Sequence, residues 1–160
     1  MKTAVRIACI ILILLTMGHK RYHPDFSDEI TKEQLVGFVK ESRAFIEIYG
    51  KQEALREFNN PKGLFARGEL YIHASDFNCK VLAIGGEPSL TGKDFSKLED
   101  PQGIKVCRQK VEILKKNDSG WLDHTMINHK TKKVMGKLSY FERVGREEWY
   151  ISSGLYYEIQ

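Results

Sequence analysis

Three segments with strand character follow one another in the last part of the sequence, and they constrain the fold more than any other feature. Residues 119–127, 134–144 and 148–158 are rich in aromatic and β-branched side chains, and short polar turns separate them. Successive runs of this kind, joined by brief turns, are typical of antiparallel hairpins. The sequence therefore predicts three neighbouring antiparallel strands in this region.

An earlier pair of strands is predicted by a hydrophobic period of two. Side chains alternate in character along residues 69–77, as expected for a strand with two different faces. The tripeptide at 78–80 is interpreted as a turn, and residues 81–86 return as a second strand. The predicted sheet therefore has five strands.

A long helix is predicted before the strands. Apolar residues from Leu35 to Tyr49 recur at helical spacing, Thr31 with Gln34 forms a capping-box signature, and Gly50 is a candidate break. A second, shorter helix is predicted over residues 104–117. Runs of strands with helices set apart indicate an α+β fold, with the long helix packed on one face of an antiparallel sheet.

The first eighteen residues have the features of an export signal. Lys2 and Arg6 accompany an apolar run from Ile7 to Met17, which is shorter than the roughly 20 residues of a membrane-spanning helix. Residues 1–18 are interpreted as a signal peptide or an uncleaved N-terminal anchor, and residues 19–29 as a linker. Both interpretations place the rest of the chain in the periplasm or another extracytoplasmic space.

Two cysteines follow this leader and would meet an oxidising compartment, where disulfides persist. Cys79 lies in a predicted turn and Cys107 on the predicted second helix. A disulfide needs Cα atoms within about 7 Å of each other. Whether these two residues pair is left open.

Several classes of function have little support in the sequence. The formal net charge is +4 and no block of five like charges occurs, so nucleic-acid binding is not expected. His124 and His129 lack the spacing and companions of a metal site. No nucleophile elbow, phosphate-binding glycine loop or acid pair is evident. We therefore expect neither an enzyme nor a bound cofactor or metal.

The ordered succession of "NNPKG", "LTGKD", "DPQG", "SGW", "KLSY" and "SGLY" resembles the single Cache domain family. This family comprises PAS-like extracytoplasmic sensor domains of chemoreceptors and sensor kinases. The resemblance implies a PAS/Cache-like fold over residues 30–160, with a helix and loops covering the other face of the sheet. The chain resembles a stand-alone exported version of such a domain.

The resemblance also implies a function in signal transduction, such as chemotaxis. The expected activity is binding of a small molecule, a short organic acid or a similar polar metabolite, with a membrane receptor or sensor kinase as the partner that reads the signal. A homodimer through the N-terminal helix is a further implied partner.

Six residues are candidates for contact with the ligand. Lys137 occupies a position where a lysine is frequent in the family, and its charge suits a carboxylate. Tyr140 has a hydroxyl for the ligand, but its parity along the strand differs from that of Lys137, so a regular strand would separate them. The remaining candidates are His124, Met126, His73 and Trp121.

Each candidate also has a purely structural interpretation, as a core residue or a solvent-facing side chain. Accordingly, a second hypothesis is a ligand-free interaction or scaffold protein of the same fold, in which side chains fill the cavity.

Overall fold

The structure is a computed structural model that describes residues 30–128 and 130–159. The predicted leader and linker, and His129, lie outside the described residues. Helix α1 (Lys32–Phe58) is followed by strands β1 (Ala66–Arg67), β2 (Leu70–Tyr71), β3 (His73–Asp76) and β4 (Val81–Ile84), a 3₁₀ turn (Pro88–Leu90), helix α2 (Val106–Leu114), and strands β5 (Ser119–Ile127), β6 (Val134–Arg143) and β7 (Trp149–Tyr157).

Helix α1 begins at the predicted capping box. The Thr31 hydroxyl accepts a hydrogen bond from the Gln34 backbone N–H, and the Gln34 side chain accepts one from the Thr31 N–H. Gly50 has a φ of 79° and interrupts the helix, which confirms the predicted break. Before this break the buried stripe ends at Ile46, and Tyr49, predicted as part of it, is 58% exposed; after the break it resumes with Ala54 and Phe58.

The main sheet has five antiparallel strands in the order β4-β3-β7-β6-β5, so the predicted fold class is confirmed. The predicted strand over 69–77 is divided in two. Leu70 and Tyr71 pair with β1 in a small separate hairpin, whereas β3 enters the main sheet. Ile72, between them, donates its N–H to the Phe65 carbonyl and accepts from the Gly85 N–H.

The two faces of the sheet carry different layers. Ile151, Trp149 and Tyr140 pack in the cluster that α1 covers. Phe141 and Tyr150, their neighbours in sequence, pack on the opposite face with the apolar side of α2. Successive residues of a strand point to opposite faces, so β6 and β7 each contribute to both layers.

Cys79 and Cys107 form a disulfide, with their Cα atoms 5.8 Å apart. The bond joins the β3–β4 turn to α2. The chain between the two cysteines includes β4, the 3₁₀ turn and the loop that leads to α2. The disulfide thus ties together the two ends of this segment. We call the part of it between the 3₁₀ turn and α2 the covering loop.

We expect the double substitution Cys79→Ser and Cys107→Ser to lower the free energy of unfolding by about 3–4 kcal/mol. Removing a cross-link that spans 28 residues releases loop-closure entropy in the unfolded chain. Urea unfolding of the full chain, with and without a reductant, measures the loss. An unchanged midpoint in both the variant and the reduced wild type would contradict this assignment.

Candidate functional site

A cavity of about 710 Å³ lies on the face of the sheet that α1 does not cover. Strands β3 to β7 supply one side of it, and α2 and the loop between the 3₁₀ turn and α2 supply the other. Residues from the sheet include His73, Ile84, His124, Met126, Lys137, Ser139, Tyr150 and Ser152, and Tyr71 joins them from the small hairpin. Residues from the opposite side include Leu90, Phe95, Leu98, Asp100, Val106 and Lys110.

Lys137 on β6 is a cationic side chain of this surface and is only 5% exposed. Its ammonium donates hydrogen bonds to the hydroxyls of Tyr71 at 2.8 Å and Tyr156 at 3.1 Å. It also lies 4.4 Å and 4.3 Å from the centroids of the same two rings. Burial lowers the pKa of Lys137 well below its usual range, and the charge on Lys110 lowers it further.

Gly154 on β7 makes room for the Lys137 side chain. A Cβ atom at position 154 would lie 2.7 Å from Cε of Lys137 and 3.0 Å from the carbonyl oxygen of Leu138. The first distance is too short for two carbon atoms, so the lysine stem would have to move, and the second is tighter than usual. The glycine therefore lets the lysine stem cross β7 toward the two tyrosines.

Lys110 on α2 is a second buried lysine, which the sequence interpretation missed. It too is 5% exposed, and its ammonium donates to the Ser152 hydroxyl at 3.4 Å and lies 5.6 Å from the Phe141 ring centroid. Burial lowers the pKa of Lys110 to about 7. Helical spacing could have predicted this burial, because position 110 falls three residues after Cys107 and four before Leu114 on the apolar face of the helix.

Neither lysine forms an ion pair with an acidic side chain in the part of the chain that the structure describes, although the charge on Glu69 favours the protonated form of Lys137 from a distance. Lys137 and Lys110 are absent from every ion pair there, and their hydrogen bonds go to neutral hydroxyls. A buried charge is costly unless a counter-charge compensates it. The surface is therefore suited to a group that brings negative charge.

His124 is held neutral by its surroundings. Its Nδ1 lies 3.1 Å from the Thr125 carbonyl oxygen, which can only accept, so Nδ1 carries the proton. Nε2, at 2.9 Å, then accepts from the Ser139 hydroxyl. Burial, followed by the charge on Lys110, lowers the pKa of His124 to about 3. Both ring nitrogens are satisfied, so His124 shapes the wall of the cavity.

His73 is less well satisfied. Its Nδ1 contacts the Ser152 hydroxyl at 3.4 Å, and its buried Nε2 has no hydrogen-bond partner among the described residues. Burial lowers the pKa of His73 to about 3, with further contributions from the charges on Lys110 and Lys137. His73 is therefore neutral, and its Nε2 has unused hydrogen-bonding capacity at the cavity.

Asp100 fastens the covering loop to the edge strand β5. One carboxylate oxygen accepts from the N–H and hydroxyl of Thr125, at 2.9 and 3.0 Å, and the other accepts from the N–H groups of Gln102 and Ile104. Burial alone would raise the pKa of Asp100, but these hydrogen bonds together lower it. The acid that lies nearest to the cavity wall is thus already engaged.

The structure brings four of the six candidate residues to the cavity and places two elsewhere. Lys137, His124, Met126 and His73 line it. Tyr140 lies on the α1 face, where its hydroxyl donates to Glu142 at 2.7 Å. Trp121 packs on the Tyr140 ring at 4.9 Å and is 38% exposed. The regular pairing of β6 fixes this division, since no bulge intervenes between positions 137 and 140.

Within residues 30–128 and 130–159, no group of three or more His, Cys, Asp or Glu side chains is arranged to hold a metal ion. In the same ranges, no helix has the length and hydropathy needed to cross a membrane.

Comparison with known proteins gives a consistent result. The family model described as "Single Cache domain 2" matches residues 49–159. The methyl-accepting chemotaxis protein McpP of Pseudomonas putida is 26% identical over 86 residues, which are 54% of this chain but only 16% of that protein. The match thus spans about a sixth of the length of this relative.

Solved structures show the same fold at low sequence identity. A methyl-accepting chemotaxis protein from Vibrio parahaemolyticus is 19% identical, with a TM-score of 0.68 and 95% of each chain covered. A structure described as the basis for carboxylic acid recognition by a Cache chemosensory domain is 21% identical, with a TM-score of 0.61, covering 79% of this chain and 88% of that one. A periplasmic sensor domain of a chemotaxis protein is 18% identical, with a TM-score of 0.63, covering 99% and 100%.

We expect Lys110→Met to make the ligand-free protein more stable at pH 7, by up to about 5 kcal/mol, because the variant removes an amine whose charged form is destabilised by burial. Each unit of pKa shift corresponds to about 1.4 kcal/mol. The folded state holds Lys110 at a pKa of about 7, against 10.5 for the unfolded chain. The wild type therefore gains stability as pH rises from 7 to 10.5, while the variant lacks this gain. Urea unfolding across that pH range should show that the difference in unfolding free energy between the variant and the wild type decreases as pH rises.

The control is Lys115→Met, one turn further along at the exposed end of α2. Its side chain is exposed and pairs with Glu112 at the surface, so this substitution removes an amine without relieving burial, and the gain expected for Lys110→Met should be absent. If the unfolding free energies of Lys110→Met and the wild type differ by the same amount from pH 7 to 10.5, the burial of a titrating amine at position 110 is contradicted.

Proposed function

The chain belongs to the single Cache domain family, and from this premise we propose that it senses a small carboxylic acid, which binds in the cavity between the sheet and α2. Domains of this family are sensory. The observation that carries the proposal is the buried ammonium of Lys137, which faces the cavity with two tyrosine hydroxyls and forms no ion pair in the described chain.

A carboxylate fits this arrangement chemically. It accepts charge-assisted hydrogen bonds from an ammonium, which are about twice as strong as bonds between neutral groups. Hydroxyl groups such as that of Tyr156 can turn to donate to the same anion. The negative charge would also offset the cost of keeping Lys137 protonated in a buried place. His73 and Met126 would complete the contacts with the rest of the ligand.

Two of the similar proteins support this class of ligand and its role. One is described as a Cache domain that recognises a carboxylic acid, and another is a chemotaxis receptor. We infer that binding shifts the balance between two conformations of the domain and that a membrane receptor or sensor kinase reads the change. A homodimer through α1 is part of the same proposal, and the exposed Ile48 and Tyr49 offer apolar surface for it.

An extracytoplasmic location, periplasmic in particular, accords with the chemistry of the chain. Disulfides persist in oxidising compartments and are rare in the cytosol. The Cys79–Cys107 bond therefore supports export, as does family membership.

The alternative, a ligand-free scaffold of the same fold, requires side chains to fill the space on this face. A cavity of about 710 Å³ lies within the range of small-molecule sites and favours the ligand-binding proposal instead.

We expect Lys137→Met to weaken binding of short carboxylates by about 100-fold or more, because the variant keeps the stem but removes the charge. Isothermal titration calorimetry of the full chain against straight-chain acids from acetate to hexanoate measures the loss. Tyr140→Phe is the matched control, because it removes a hydroxyl from the α1 face. Equal affinity in Lys137→Met and wild type would refute the assigned role of the lysine.

We also expect binding to take up protons. Lys110 has a pKa of about 7 in the free domain, and an anion nearby would favour its charged form. Affinity should therefore fall as pH rises above 7, by up to about tenfold per pH unit for each proton taken up. Calorimetry at pH 8 in Tris and in HEPES, whose ionisation enthalpies differ, should give different apparent enthalpies. Identical enthalpies would argue against a buried amine that recharges on binding.

A further inference from the structure

We propose that the ligand is a dicarboxylic acid, with one carboxylate at Lys137 and the other at Lys110. This inference rests on the proposed function and deepens it, because it assigns a role to the second buried lysine. Lys110 comes from the covering helix and Lys137 from the sheet, so the two cations approach the cavity from opposite sides.

The two ammonium groups have separate anchors on β7. Lys110 donates to Ser152, and Lys137 donates to Tyr156, four residues further along the same strand. Four residues of strand correspond to about 13 Å between Cα atoms. The stem of Lys137 crosses at Gly154, midway between the anchors. The two ammonium groups therefore have separate partners on β7, and each can bind an acidic group of its own.

Glu69 favours the charged form of Lys137 but forms no ion pair with it among the described residues, and the acids that line the cavity are engaged elsewhere. Asp100 is engaged with the Thr125, Gln102 and Ile104 groups of the covering loop and β5, and Glu99 pairs with Lys105 at 3.5 Å. Lys93, on the rim, adds a third cation. With both lysines protonated, two negative charges on the ligand would neutralise the buried pair, whereas one would leave a buried charge uncompensated.

The apolar part of the cavity lining suits a short hydrocarbon spacer. Ile84, Phe95 and Met126 line the cavity together with the lysines. Apolar side chains bind methylene groups favourably, at about 0.8 kcal/mol per buried CH₂. A chain of two to four methylene groups between the carboxylates would contact this surface.

The test compares acids of equal length with one or two carboxylates. Titration calorimetry of the full chain measures butyrate against succinate, valerate against glutarate, and hexanoate against adipate. At least one diacid should bind about 10- to 100-fold more tightly than its monoacid, since a second charge-assisted contact adds about 1.5–3 kcal/mol. Lys110→Met should weaken binding of the diacids more than binding of the monoacids and so remove this preference.

The outcomes separate the two proposals. If the wild type binds neither series, the proposed function itself fails. If monoacids bind as tightly as diacids, or if Lys110→Met weakens both series equally, carboxylate binding stands and the dicarboxylate inference is overturned. Lys115→Met, on the exposed end of α2, is the control for charge removal and should leave both series unchanged.

Discussion

The alternation of side chains along β6 and β7 is the constraint on which both the core and the cavity depend. These strands occupy central positions in the sheet and pair without a bulge from Gly136–Tyr157 to Arg143–Tyr150. One parity supplies the apolar contacts with α1, and the other supplies lysine, serine and tyrosine to the cavity. A shift of register by one residue would exchange the two sets. The hydrophobic layer under α1 therefore fixes which polar groups reach the cavity.

The buried lysines on the cavity side of the sheet lower the stability of the ligand-free domain. Two lysine side chains are removed from water, and hydroxyls and aromatic rings are their partners in the described chain. Aromatic faces and hydroxyl oxygens compensate an ammonium only in part. The disulfide and the Asp100 hydrogen bonds hold the cover in place despite this cost. Under the proposed function, the polar groups are arranged before a ligand binds, at the expense of stability.

Much of the fold could be predicted because it depends on local pattern. The five strands, the capped helix and its break at Gly50 follow from period, caps and glycine. Lys110 was missed because a lysine on a helix is normally a surface residue, although its spacing placed it on the buried stripe. Tyr140 was included although its parity argued against it. The Cys79–Cys107 pairing depends on a distance between remote segments, which a single sequence does not encode in any local pattern.

The disulfide has a consequence for how such a site can diversify. Because the bond anchors the segment from the β3–β4 turn to α2 at both ends, the loop between the 3₁₀ turn and α2 needs few further contacts to stay in position. Leu98 in this loop is exposed and can therefore vary in size with little risk to the sheet beneath, whereas Phe95 packs against the buried clusters. Under the proposed function, mutations in this loop would change the shape of the cavity, while the lysines on α2 and β6 would keep their positions.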